Sequence, residues 1–300
     1  MTDPITIYTG ASGLNTVSDP VRIDFKDGIT DLQVAVNISI DKSGRINRRT
    51  GVTLAQAGSY HSLFCDKGDC FVVSGEYLYR VNDDDTLAEV TSGLTEDEKM
   101  AFVQVGPRTY YTNGYEKGFI YEAGSNSWEA GTYTGPDTNR DFSGPPTGTH
   151  LATFNGRMFI SEGTVLWWSE PFNFDIYDKA ESFIQFFDKI IMVQPVAEGI
   201  FVSTEKKIYF LGGAEPRAFT VREVYQYPAA EWSNAVERIE SSEIGFDGGA
   251  CAVWASREGA ILGLPTGQVL NLNKNKVVYP DEATTGFGCI RGYNFIHGVN

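Results

Sequence analysis

The residues able to do chemistry are few and scattered. His61, His150 and His297 are the only histidines, and none stands beside a nucleophile in sequence. No Gly-x-Ser-x-Gly turn is present to present a serine. No Gly-rich loop ending in Gly-Lys-Ser/Thr is present to cradle a phosphate. Asp83, Asp84 and Asp85 are consecutive, so they cannot wrap one calcium ion as alternating positions do. Cys65 and Cys70 flank Asp66-Lys67-Gly68-Asp69, which reads as a hairpin loop. They could face each other as a cross-strand disulfide, or sit as two small apolar sheet residues. The second is the expectation where nothing suggests export. No other cysteine pair or nearby histidine completes a zinc set. With 39 acidic side chains a carboxylate pair can always be chosen, so their number does not argue for a glycosidase. The chain is read as a non-enzyme with no cofactor, no metal and no catalytic residue.

Composition narrows the classes further. The 300 residues include 19 Phe, 15 Tyr and 5 Trp, too aromatic for a disordered chain and enough to build a core. The longest apolar stretch, Phe183 to Val202, is cut by Asp188, Lys189 and Glu198, so no membrane-spanning helix is expected. Met1-Thr2-Asp3-Pro4 has neither the basic start nor the apolar run of a secretory signal. The net charge is −15 and it is spread: 21 acidic against 12 basic residues in the first half, 18 against 12 in the second. Such a chain cannot grip phosphates broadly, because that grip needs Lys and Arg to release counterions. It can line a passage that DNA crosses without binding, within a screening distance of about 10 Å.

The elements that would position any site are strands. Short apolar runs alternate with Gly, Asn, Asp and Ser clusters, and only Asp97 to Val105 and Ala229 to Ile239 look helical. Five segments repeat one pattern: a turn, an apolar run, a small residue, a tight turn, a second apolar run. They are 68–74 with 77–81, 106–112 with 118–121, 155–161 with 164–168, 198–203 with 207–211, and 258–263 with 268–272. The small residues Ser74, Thr112, Ser161, Ser203 and Gly263 are 38, 49, 42 and 60 positions apart. Steps of about 40–50 residues with several strands each predict an all-β fold, a β-propeller of about six four-stranded blades, between five and seven. The small residue is placed on the innermost strand, where blades crowd. The long last step predicts an inserted loop region at 213–245. The whole of 1–300 reads as one domain. Its sixth blade would come from the termini, with Ala35 to Ile40 and Arg45 to Arg49 pairing near Val277 to Ile296, so that the segment 1–51 helps to close the ring.

That opening segment has a character of its own. It contains Gly13-Leu14-Asn15-Thr16, then Asp19-Pro20, then the strand Ala35-Val36-Asn37-Ile38-Ser39-Ile40-Asp41, then Ser43-Gly44-Arg45-Ile46-Asn47-Arg48-Arg49-Thr50-Gly51. Val36 to Asn47 reads as a β-hairpin turning at Asp41 to Gly44. These residues resemble the opening of β-propeller tail proteins of short-tailed bacteriophages, the nozzle or tail-tubular family. The match covers about 40 of the 300 residues. It implies a virion structural protein assembled in the host cytoplasm. It implies a ring of about six copies below the head-to-tail adaptor, joined to other tail components and surrounding the channel through which DNA leaves. No functional residue is carried over, since that role rests on surfaces.

Candidate contacts with partners follow from the residues themselves. Arg45, Arg48 and Arg49, with Lys42, form the one basic patch; alternation puts Arg45 and Arg49 on one face and Arg48 on the other. They pair either with an acidic neighbour or with this chain's own carboxylates. Trp167, Trp168, Phe172 and Phe174 open an aromatic stretch that continues through Tyr177, Phe183, Phe186 and Phe187, denser than a surface loop needs. It is expected to dock on a neighbour or cap a blade. Asp83–Asp85 and Glu96–Glu98 read as solvated loops. The alternative function is a propeller that binds or cleaves host surface glycans, with Trp167, Trp168, Tyr110, Tyr111 or Tyr115 stacking on sugars. The Ser-x-Asp-x-Gly-x-x-Trp box of sialidase propellers is absent; Ser125-Asn126-Ser127-Trp128 lacks its Asp and Gly.

Overall fold

The structure is a computed structural model. It describes residues 10–19, 29–41, 43–49, 51, 53–66, 68–136, 140–240, 248–273, 276–291 and 294–300. The runs that alternate or stay apolar become strands, because β-branched and aromatic residues pack well on a pleated surface. Five four-stranded antiparallel meanders follow one another. The first holds β5 (His61–Asp66), β6 (Asp69–Ser74), β7 (Tyr77–Val81) and β8 (Leu87–Thr91). The second holds β9 (Ala101–Val105), β10 (Arg108–Thr112), β11 (Lys117–Tyr121) and β12 (Gly124–Ser127). The third holds β14 (His150–Phe154), β15 (Arg157–Glu162), β16 (Val165–Trp168) and β18 (Phe183–Gln185). The fourth holds β19 (Ile190–Val196), β20 (Gly199–Thr204), β21 (Ile208–Gly212) and β22 (Thr220–Tyr225). The fifth holds β23 (Ala235–Ile239), β24 (Gly249–Ser256), β25 (Gly259–Gly263) and β26 (Val269–Asn271). A sixth sheet has two strands among the described residues, β27 (Gly286–Arg291) and β28 (Asn294–Val299).

Successive sheets touch face to face: β9 meets β14, β14 meets β19, β19 meets β24, and β23 meets β27. A separate apolar cluster fills each gap from the first sheet to the fifth. Phe71, Leu78 and Tyr111 lie between sheets one and two, and Tyr110, Trp128 and Ile160 between two and three. Phe159, Ile200 and Leu211 lie between three and four, and Phe201, Phe210 and Trp254 between four and five. The fold is a β-propeller.

Several sequence expectations change. The stretch 213–245 is not one inserted loop: it carries β22 and β23, with 241–245 outside the described residues. The long step has a structural reason: in the fifth blade the pattern falls on the third strand as well as the second. Gly263 ends the third strand of its blade, whereas Ser74, Thr112, Ser161 and Ser203 lie at or near the end of a second strand. The counterpart is Ser256, at the end of β24, which shortens the step from 60 to 53. The pattern of turn, apolar run and small residue describes both hairpins of a buried meander, so it cannot tell them apart. The helix-like pieces are strands and their lead-ins, β9 and β23.

The N-terminal segment forms a parallel pair, β1 (Gly10–Leu14) with β2 (Ile29–Leu32), and a hairpin of β3 (Ile38–Ile40) with β4 (Ile46–Arg48). The hairpin turns where expected: the Asp41 carboxylate accepts from the Ser43 and Arg45 backbone N–H groups. Its strands pair with each other and do not join the sheet of β27 and β28. The segment instead clasps the connection into β27. The Thr16 N–H donates to the Lys276 carbonyl, and Lys276 Nζ lies 2.8 Å from Asp31 Oδ1. Lys42, Pro20 and Thr50 of the quoted motifs lie outside the described residues.

Candidate functional site at the propeller axis

The small residues show what the axis needs. Each lies at or next to the end of a second strand and bonds to backbone at or before the start of a first strand. Ser74 Oγ donates to the Ser59 carbonyl, Thr112 Oγ1 to Gly148 and Ser256 Oγ to Pro228. Ser161 Oγ accepts from the His150 N–H, and Ser203 Oγ from the Ala229 N–H. A small hydroxyl fits there because a buried backbone group left unpaired costs about 1–3 kcal/mol. These latches sit one strand out from the axis, not on the innermost strand.

The lead-ins that they fix converge on an open axial cavity of about 420 Å³. Its wall takes residues from the entry to nearly every blade: Asp97, Glu98 and Lys99 before β9, Thr149 before β14, Lys189 before β19, Glu231 and Trp232 before β23, and Thr285 to Phe287 at β27. Only a point on the axis is near all of them, which makes the first strands the inner ones. Asp97 and Glu98 therefore belong to a lined mouth, whereas Asp83 to Asp85 form a solvated turn as expected.

Trp232 is the most constrained of these residues. The Ser233 N–H bonds to the Ala230 carbonyl, so Trp232 stands third in a four-residue turn with φ +69°. That position ordinarily selects Gly or Asn, and a bulky residue there is strained. The indole stacks on the His150 ring, centroids 4.5 Å apart and planes 18° apart. His150 is 5% exposed, and its Nδ1 lies 3.0 Å from Thr149 Oγ1. Its Nε2 lies 3.7 Å from Glu231 Oε1, and the ring also hydrogen-bonds the Ile191 backbone. Burial, reinforced by Lys189, pushes His150 down to about 3, so the imidazole is neutral at physiological pH. Burial also raises the Glu231 carboxyl, with Lys189 pulling the other way. The pair is therefore polar contact rather than a salt bridge. Among the described residues no ion pair holds Lys99, Lys189, Asp97 or Glu98, and no group of His, Cys, Asp and Glu suits a metal ion.

The residues singled out from sequence fall in two other places. Arg45, Arg48 and Arg49 are exposed on the hairpin, with no ion-pair partner among the described residues. The aromatics belong to blade three. Trp168 is buried and Trp167 half-buried, its Nε1 donating to Glu162 Oε2. Phe174 packs edge-on against Tyr110 at 5.9 Å, so this stretch caps the gap between blades two and three. Phe172 is 83% exposed with φ +54°, and Phe187 is 98% exposed. Arg140 locks the cap by bridging Glu170 and Asp178. Burial raises the Asp178 carboxyl, and the Arg140 guanidinium more than offsets it, holding the group below the usual range. Cys65 and Cys70 stand opposite in β5 and β6 and are joined by a disulfide, not left as two reduced residues.

A second cavity, about 330 Å³, lies between blades one and two. Arg80 lies on its wall, 3.6 Å from Asp69 and stacked over Phe71. Sequence reasoning missed the axial residues because nothing in their types marks them. Their signal is positional: they stand just before the first strand of each blade.

No protein-family model matches the chain, and no curated protein matches it in sequence. Among solved structures it is similar to BBS1N in complex with ARL6DN, at TM-score 0.46 and 11% identity over 75% of this chain and 68% of that one. It is similar to the extracellular domain of BT4673 from B. thetaiotaomicron, at TM-score 0.49 and 11% identity. That match covers 82% of this chain and 31% of the other, so the chain spans under a third of it. Kluyveromyces lactis Hsv2 aligns at TM-score 0.36 and 8% identity, over 86% and 75%. The propeller assignment rests on the blades themselves.

Proposed function

We propose that the chain is a structural subunit of a bacteriophage tail, a propeller that assembles into a ring around the DNA-ejection channel and meets the head-to-tail adaptor. The observation that carries this reading is the N-terminal hairpin. Its strands form a sheet of their own, tied to β1 by the Ala11 N–H to Gly44 carbonyl bond, and three arginines stand exposed on it in a chain of net charge −15. A basic element with no ion-pair partner of its own among the described residues complements the acidic surface of a neighbouring copy, and such contacts orient association. A head-to-tail contact of this kind closes into a ring when its rotation permits. The acidic surface suits a wall that DNA passes without being held.

Light scattering and negative-stain imaging test this, on the protein alone and mixed with the adaptor. A ring near 200 kDa, six copies of a 33.1 kDa chain, or ordered addition to the adaptor supports it. A monomer at every concentration that ignores the adaptor overturns it. The double variant Arg48→Glu with Arg49→Glu is expected to lower assembly at physiological salt without changing the melting temperature.

A further inference from the structure

From Trp232, Lys99, Lys189 and the carboxylates around them, we infer that the axial cavity is a binding site for an acidic sugar, a hexuronate-type unit bearing one carboxylate and several hydroxyls. The inference does not depend on ring assembly.

The cavity's volume of about 420 Å³ falls in the range of small-ligand sites, about 300–1,000 Å³. Both signs of charge line it, and neither is consumed by an ion pair among the described residues. Lys99 and Lys189 come from the lead-ins of two different blades, so together they can bracket one anionic group. Asp97, Glu98 and Glu231 accept hydrogen bonds, which suits a ring of hydroxyls rather than a second anion. A purely cationic guest would leave both ammonium groups opposed; a neutral sugar would leave them unused.

The apolar part of the site is also built. Trp232 is held in a strained turn, with His150 covering one face of the indole, while the residue lines the cavity. Phe287, 60% exposed, stands on the same wall. Aromatic faces of this sort take the C–H face of a sugar ring. Beside them the buried His150 ring stacks on Trp232, its Nε2 3.7 Å from the Glu231 carboxylate that lines the cavity. A sugar hydroxyl in the cavity can donate to the Glu231 carboxylate.

The test is titration of the purified protein with galacturonate, glucuronate, galactose and cadaverine. It is followed by calorimetry and by saturation transfer to the sugar protons. Lys99→Met and Lys189→Met are measured beside the parent, with thermal melts to show that both exposed substitutions leave the fold intact. The expected result is uronate binding on the order of 1 mM or tighter, with each variant about tenfold weaker for the uronates only. No uronate binding at tens of millimolar overturns the site. Equal binding of galactose, or an unchanged affinity in both variants, overturns the acidic assignment. Tighter binding of cadaverine than of either uronate overturns it as well.

Discussion

The two faces of blade five are made of the same strands and differ sharply. Toward blade four, Ala252, Trp254 and Ile261 meet Phe201 and Phe210, all almost fully buried, with Phe201 and Trp254 rings 5.3 Å apart. Toward the sixth sheet the cluster is small: Cys251, Leu262 and Leu264 with half-buried Ile239 and Leu270. Along β24 the residues alternate between these faces, so one strand serves a dense interface and a thin one. Cohesion in a propeller is set gap by gap. Here it is concentrated in blades one to five and falls away toward the two-stranded sheet and the N-terminal segment.

The largest effect should come from emptying the dense side. Trp254→Ala removes a fully buried ring and is expected to cost about 3–5 kcal/mol in urea unfolding. Phe287→Ala, on the exposed sheet, should cost under about 0.5 kcal/mol. Equal losses would refute the contrast.

The disulfide is next. Cys65→Ser with Cys70→Ser frees a short loop in blade one and should cost about 2 kcal/mol. A change in the urea m-value instead would show blade one unfolding apart from the rest.

Third are the hydroxyl latches. Ser203→Ala leaves the buried Ala229 N–H without its partner and should cost about 1–3 kcal/mol, whereas Ser74→Ala, on the more open first blade, should cost less. The same thermal melts report both.

The last effect is a slope, small over any single pH step. The unfolded chain's imidazole takes a proton below about pH 6.5, while folded His150 stays neutral down to about 3. Its contribution is therefore present above pH 6.5 and is lost as pH falls. Glu231 runs the other way: its raised carboxyl favours the folded state at low pH and that gain fades as pH rises. His150→Gln should flatten stability between pH 6.5 and 5 by up to about 1.4 kcal/mol per pH unit. His61 and His297, also held down by burial, would keep the remainder of the slope.

Much of the fold was legible because blades are buried on both sides. Runs such as Phe71-Val72-Val73 and Ile200-Phe201-Val202 have no polar face to confuse them. That same continuity hid the register of the fifth blade, since Gly259 to Gly263 imitates a second strand. The hairpin at 36–47 was legible from Asp41 and Gly44, where a local carboxylate makes the turn. The axial site was not: Lys99, Lys189 and Glu231 look like any surface charge until the ring brings them within one cavity. The disulfide was legible from register, since the turn places Cys65 opposite Cys70, while composition gives no sign of the oxidising compartment it implies.

The clasp at Thr16, Asp31, Lys276 and Val278 has a mechanical consequence. It joins a segment that precedes the first blade to one that follows the fifth, two regions about 245 positions apart along the chain. A pull transmitted between these segments acts on this seam before it loads any blade. Its two backbone-donated hydrogen bonds and one ammonium–carboxylate contact share that load between them, against a full ladder of bonds within each blade. The seam is thus the molecule's fuse: under tension the propeller is set to open like a bracelet at its catch.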